Sequence, residues 1–211
     1  MTEIKTVKCG MVNCYLLCGE SGNILVDTAT SGCGERITAA LGSKKINLII
    51  LTHAHGDHVG SAAYLKKALG APIAMHCEDV ELLTNHDART LVGHTLIGRM
   101  LASASRSSPE NAAYDIFTPD IMLSDGDELS AFGVDAHIVA LPGHTKGSIG
   151  VLTGDKEFIA GDAMFNILRP TGARLYEDRS QMEASVKKIR ELRPKLIYVG
   201  HGKPINPDNR K

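Results

Sequence analysis

No apolar run in the sequence approaches the roughly 18 residues of a membrane span, so an integral helical membrane protein is not expected. The start, Met1-Thr2-Glu3-Ile4-Lys5, lacks a basic segment followed by a long apolar stretch. An export signal is therefore not expected, and the expectation is a soluble, cytoplasmic protein. Charge of one sign is missing as well. Lys and Arg total 23 against 24 Asp and Glu, a formal net charge of -1, so there is no global basic field to gather nucleic acid or anionic membrane. A polyanionic substrate would need a local patch. Cysteine pairing is absent: Cys9, Cys14, Cys18, Cys33 and Cys77 are odd in number and form no C-x-x-C. Buried free thiols in a reducing compartment are the economical account. Low-complexity tracts, short tandem repeats and linkers are also lacking, and 211 residues suffice for one domain, 1–211, with a large core.

What is present is concentrated in Thr52-His53-Ala54-His55-Gly56-Asp57-His58. Three imidazoles and a carboxylate lie in one short loop directly after the apolar run Ile46 to Leu51. Such groups are the usual ligands of zinc and non-haem iron, and so many cannot be buried together without a cation to satisfy them. The run itself reads as a strand covered on both faces, which places the motif at a strand's C-terminal end, where open α/β sheets bind ligands.

Around this centre the chain alternates between elements. Ile4 to Lys8, Val12 to Cys18 and Ile24 to Val26 read as an antiparallel meander, and Asp27-Thr28 closes it at a strand end, where a side chain can point toward a site or, as the commoner role, cap the next turn. Helical spacing covers Gly32 to Leu41 and Val59 to Leu69, the second with Asp57 as an alternative N-cap. Ala71 to His76 reads as a strand and Glu78 to Leu83 as a short helix. The stretch 84–119 is an irregular helical excursion, with a helix from Asp87 to about Ser105, and is a candidate lid or homodimer contact. His86 and His94 within it lie near no second ligand and read as ordinary surface or helix residues. Strands follow at Glu128 to Ala131, Val134 to Leu141, Ser148 to Thr153 and Lys156 to Ala160, then a helix from Glu177 to Leu192 and a strand from Lys195 to Val199. His137 falls inside the second alternation and reads as a plain strand residue.

Further candidate ligands stand at later strand ends, each beside glycine: Gly143-His144, Gly161-Asp162 and Gly200-His201-Gly202. Glycine permits the sharp turn and close backbone approach of a crowded site. The order H-x-H-x-D-H, H, D, H resembles the metallo-β-lactamase superfamily across most of the chain. Pro142-Gly143-His144-Thr145-Lys146-Gly147-Ser148 and Gly161-Asp162-Ala163-Met164-Phe165 are similar to its glyoxalase II branch. The resemblance implies an α/β fold, an αββα sandwich of two mixed β-sheets flanked by helices with the site at one edge. It implies two divalent metal ions, zinc first and iron or manganese as other candidates: one on His53, His55 and His144, a second on Asp57, His58 and His201, with Asp162 bridging. The implied activity is hydrolysis of a small thioester, ester or lactone by a metal-bridged hydroxide, with Asp57 also a catalytic residue.

Departures from the family narrow the substrate. Glyoxalase II enzymes add a C-terminal helical domain for glutathione, whereas this sequence stops about ten residues after His201, so glutathione thioesters are not the expected substrate. Quorum-sensing lactonases carry tyrosine where Phe165 stands, which disfavours lactones. β-Lactamases of the superfamily are exported and lack the bridging aspartate, and its nucleases need added domains or a basic surface. Phe165, Arg169, Arg174 and Tyr176 are candidate substrate contacts, although loop packing is the commoner role for the last three. A small-molecule substrate is the expected partner, with no nucleic acid and no membrane. Two other readings stand beside the hydrolase. One is an oxidoreductase similar to persulfide dioxygenases, with one iron on His53, His144 and Asp162. The other is a non-catalytic metal-binding protein, weakened because structural zinc sites usually close with four ligands, often cysteine.

Overall fold

The computed structural model describes residues 1–85 and 114–208. His86, His94 and the helix expected from Asp87 to about Ser105 lie outside them.

Strands β1 (Glu3–Cys9), β2 (Val12–Cys18) and β3 (Asn23–Val26) form the antiparallel meander read from the sequence. Helix α1 (Gly34–Leu41) leads to β4 (Leu48–Ile50), and α2 (Gly56–Val59) and α3 (Ala62–Leu69) to β5 (Ile73–His76). A 3₁₀ segment, Cys77–Leu83, follows β5, and β6 is Ile121–Leu123. These strands make a six-stranded sheet in the order β1-β2-β3-β4-β5-β6, parallel from β3 onward. The second sheet has four strands. β7 (Ala136–Ala140), β8 (Ile149–Thr153) and β9 (Glu157–Ile159) pair antiparallel, and β12 (Leu196–Tyr198) joins β9 in parallel, giving β12-β9-β8-β7. A small ribbon of β10 (Met164–Phe165) and β11 (Thr171–Gly172) precedes helix α4 (Arg179–Glu191).

Strand alternation sorts the side chains into layers. Tyr15, Leu17, Ile24, Val26, Leu48 and Ile50 face Ile138, Val151 and Ile159 of the other sheet in a central core. Their neighbours Leu16, Leu25 and Ile49 turn to the opposite face, against Ile37 and Leu41 of α1 and Leu65 of α3. On the far side of the second sheet, Leu152, Phe158 and Ile197 pack with Met182, Val186 and Ile189 of α4. The result is the expected order of helices, sheet, sheet, helix. Among the described residues no helix is long and apolar enough to cross a membrane.

Several local expectations change. The helix expected from Val59 to Leu69 is two helices, broken at Gly60–Ser61, where a Cβ on Gly60 would collide with the backbone of Ser31. His55 and Ser61 occupy the N-cap positions, so Asp57 is not a cap and lies in the first turn of α2. Glu128 to Ala131 is not a strand. One bridge joins Glu128 to His137, and Ser130–Phe132 is a 3₁₀ turn closed by Gly133 at φ 84°. Only Cys9 and Cys14 of the five thiols are buried, and Cys77 is exposed.

Candidate metal centre

The histidine loop leaves β4 and the parallel register brings the end of β3 beside it: Asp27 N donates to Ile50 O at 2.8 Å. The ends of β7, β9 and β12 arrive from the other sheet with His144, Asp162 and His201. Close approach there depends on glycine, since a Cβ on Gly200 would meet Asp162 Oδ1 and, at 2.7 Å, His58 Cε1. All seven sequence-derived candidates are thereby brought together. Three groups of side chains each offer donor atoms within 4.8 Å of one another: His53, His55 and His144; His53, His58 and Asp162; and Asp57, His58 and His201.

The tautomers follow from what each outer nitrogen touches. His144 Nδ1 lies 2.7 Å from Leu175 O and His201 Nδ1 lies 3.1 Å from Met11 O. A carbonyl only accepts, so both Nδ1 atoms carry a proton and both rings turn Nε2 inward. Asp27 Oδ2 accepts from His58 Nδ1 at 2.8 Å. The Thr52 hydroxyl donates to Asp27 at 2.9 Å, leaving its oxygen to accept from His53 Nδ1 at 3.0 Å. One buried carboxylate thus fixes two rings. His55 is the exception and presents Nδ1, 3.0 Å from His144 Nε2.

The inward atoms are short of partners. His53 Nε2, His58 Nε2 and Asp162 Oδ1 are buried without a hydrogen bond among the described residues. Leaving such a group unsatisfied costs about 1–3 kcal/mol, more when charged. A divalent cation satisfies lone pairs and carboxylate together, so the donor set fits a metal.

Electrostatically the site has two sides. Burial, reinforced by the neighbouring imidazoles, holds His53 well below the usual histidine range and brings His55 down to about 3. Both are neutral donors at neutral pH. On the other side burial opposes charge, yet Asp162, Asp27 and Asp57 hold His58 well above its ordinary value, and Asp162 with Asp57 brings His201 up to about 10. Burial would raise Asp57, but His58 and His201 outweigh it and lower the carboxyl to about 2. Asp162 faces both sides: Oδ2 lies 3.6 Å from His144 Nε2 and 3.4 Å from His201 Nε2, while Oδ1 lies 3.4 Å from His58 Nε2.

The candidate substrate contacts fare unequally. Phe165 stacks flat on His201, with ring centroids 5.4 Å apart and planes 7° apart, and lies 6.3 Å from His144, so it walls the site. Tyr176 is buried in the core beside α4, and Arg169 and Arg174 are exposed. Asp27, expected to cap a turn, instead orients His58 and, through Thr52, His53.

The sequence model of the metallo-beta-lactamase superfamily matches residues 7–201, and the chain belongs to that superfamily. The two sheets and flanking helices are its fold. A probable metallo-hydrolase of Methanocaldococcus jannaschii is 30% identical over 200 residues, 90% of this chain and 87% of that protein. A hydroxyacylglutathione hydrolase of Acidiphilium cryptum is 24% identical over 206 residues, 92% of this chain and 70% of that one. The crystal structure of TTHA1623 in a di-iron-bound form matches with a TM-score of 0.72 at 26% identity, covering 97% of this chain and 94% of that one. The chain therefore has a metal-dependent hydrolase-like fold with candidate metal-binding residues in place.

Proposed function

We propose that the site holds two divalent ions, zinc before iron or manganese, and hydrolyses a small thioester or ester, with lactones a less favoured substrate. One ion is assigned to His53, His55 and His144, the other to Asp57, His58 and His201, with Asp162 shared. The observation that carries this is the convergence of three buried atoms that make no hydrogen bond, His53 Nε2, His58 Nε2 and Asp162 Oδ1, between the two groups. The placement of Asp162 against members of both supports its shared role. The relation to a metallo-hydrolase and to a hydroxyacylglutathione hydrolase supports the reaction class.

Divalent ions bound there would supply Lewis acidity to a substrate carbonyl and bring the pKa of water to about 7. The chain's own groups do the rest. Neutral His53 and His55 donate lone pairs without needing to shed protons first. Asp57 is ionised above about pH 2, so its carboxylate can accept a hydrogen bond from an attacking water and orient it. Phe165 closes one side of the site against His201 and orients an acyl group toward it.

Elemental analysis of the purified, untagged protein tests the proposal. About two zinc ions per chain, together with turnover of a thioester or ester panel, is the expected result. The di-iron form of TTHA1623 makes iron a measurement to include. One iron per chain with the second group empty would sink the mechanism and direct the next assay to oxygen consumption with a persulfide. Asp57→Ala is expected to abolish turnover while the fold, followed by circular dichroism, persists. Retained turnover would remove Asp57 from the chemistry.

A further inference from the structure

The two donor groups share one strut, and one of them has a second. Asp27 serves His58 directly and His53 through Thr52. A second carboxylate, Asp79 in the 3₁₀ segment after β5, lies outside the donor set and is fully buried. Its Oδ2 accepts from Ala54 N at 3.1 Å and from Thr145 Oγ1 at 2.7 Å, and its Oδ1 accepts from Gly147 N at 2.7 Å. Ala54 separates His53 from His55, and Thr145 follows His144. One side chain therefore ties the turn bearing two histidines of a group to the turn bearing its third.

The surroundings are arranged for that contact. With the Thr145 hydroxyl donating to Asp79, Ser148 Oγ at 2.7 Å donates to Thr145 and in turn accepts from Thr145 N at 3.0 Å. Gly147 leaves the room: a Cβ there would lie 2.7 Å from Asp79 Cγ and Oδ1. These three hydrogen bonds all reach the turns that carry His53, His55 and His144. Imidazole position, set by the backbone turn, decides whether three lone pairs meet at one point, and loss of such supporting contacts typically weakens metal binding.

We infer that Asp79 is a positioning residue of the His53, His55 and His144 group, so that the ion held there depends on it more than the other ion does. The inference rests on the two-ion reading above. It predicts a separable defect: disturbing Asp79 weakens one ion more than the other.

Zinc titration against a chromophoric chelator, with stoichiometry from elemental analysis, reads this directly. Asp79→Asn places an amide NH₂ against N–H or O–H donors. It is expected to retain one tight zinc and to weaken the other by about 10–100-fold. Gly147→Ala, which disturbs the same contact from the other side, is expected to do the same. Thr145→Val follows in direction, while Thr145→Ser, which keeps the hydroxyl, restores wild-type affinity. Melting in excess chelator separates positioning from structure, because the zinc-dependent rise in Tm shrinks beyond any loss in the metal-free protein. Two zinc affinities within twofold of wild type in Asp79→Asn, or equal weakening of both, would overturn the inference. Wild-type protein binding fewer than two ions would instead defeat the two-ion reading. If the one ion that binds is lost in His55→Ala, and so sits on the His53, His55 and His144 group, its unchanged affinity in Asp79→Asn overturns the inference as well; if no ion binds there, both fall.

Discussion

Replacing Asp27 by Asn isolates the orienting role of one carboxylate. Asp27 has φ 63°, a left-handed conformation that Asn tolerates better than most residues, so the substitution changes chemistry with little backbone strain. The side chain is 1% exposed, and its oxygens accept from Thr52 N at 2.8 Å, the Thr52 hydroxyl at 2.9 Å and His58 Nδ1 at 2.8 Å. An Asn keeps one oxygen for Thr52 and turns its NH₂ toward His58. The ring then takes the tautomer with Nδ1 bare and the proton on Nε2, the atom that faces Asp57 and Asp162. Holding metal would require the other tautomer, with N–H facing NH₂, at a cost of about 1–3 kcal/mol. That corresponds to roughly a 5–150-fold loss of affinity at 1.4 kcal/mol per decade. Competition with a chromophoric zinc chelator at constant pH measures it, and the melting curve in chelator reports the fold separately. An Asp27→Asn protein that binds zinc within twofold of wild type would refute the tautomer argument.

Other outcomes follow from the same groups. His58 and His201 have raised pKa values, so their contribution to stability is complete below about 6.5 and is lost as pH rises toward the folded values, about 10 for His201. His53 and His55 are depressed, so their contribution is present above about 6.5 and lost as pH falls, down to about 3 for His55. Metal-free protein is therefore expected to melt at its highest temperature near pH 6.5, a maximum that Tm measurements in chelator across pH 4–9 would locate. Loading zinc at pH 7 is expected to release protons from His58 and His201, measurable with an indicator dye in weak buffer. Among the thiols, burial first and then Cys33 push Cys9 up to about 11, and burial raises Cys14 well above the usual thiol range. Iodoacetamide at pH 8 is expected to modify exposed Cys77 and leave Cys9 and Cys14 intact in peptide mass spectra.

The seven candidate donors were legible because each sits in a local signal, four packed into one loop after an apolar run and three beside glycine at later strand ends. Strand ends in a sheet of this kind meet in space even when 148 residues separate His53 from His201. The supports were not legible for the same reason. An Asp after a strand caps a turn far more often than it reaches a ring 31 residues away, and only the parallel pairing of β3 with β4 puts Asp27 beside Thr52 and His58. The one available hint was that two adjacent apolar runs, Ile24–Val26 and Ile46–Leu51, both end in a polar residue followed by threonine or histidine. For Tyr176 the sequence offered both a substrate contact and the commoner packing role, and its ring is buried in the cluster that includes α4. Asp79 gave no local signal at all, since its partners Ala54, Thr145 and Gly147 are defined by backbone and hydroxyl groups that every turn possesses. Donor identity is thus a property of side-chain type and spacing. Donor orientation is a property of which strand ends the two sheets bring together, and substitutions at the orienting carboxylates are where the two can be measured apart.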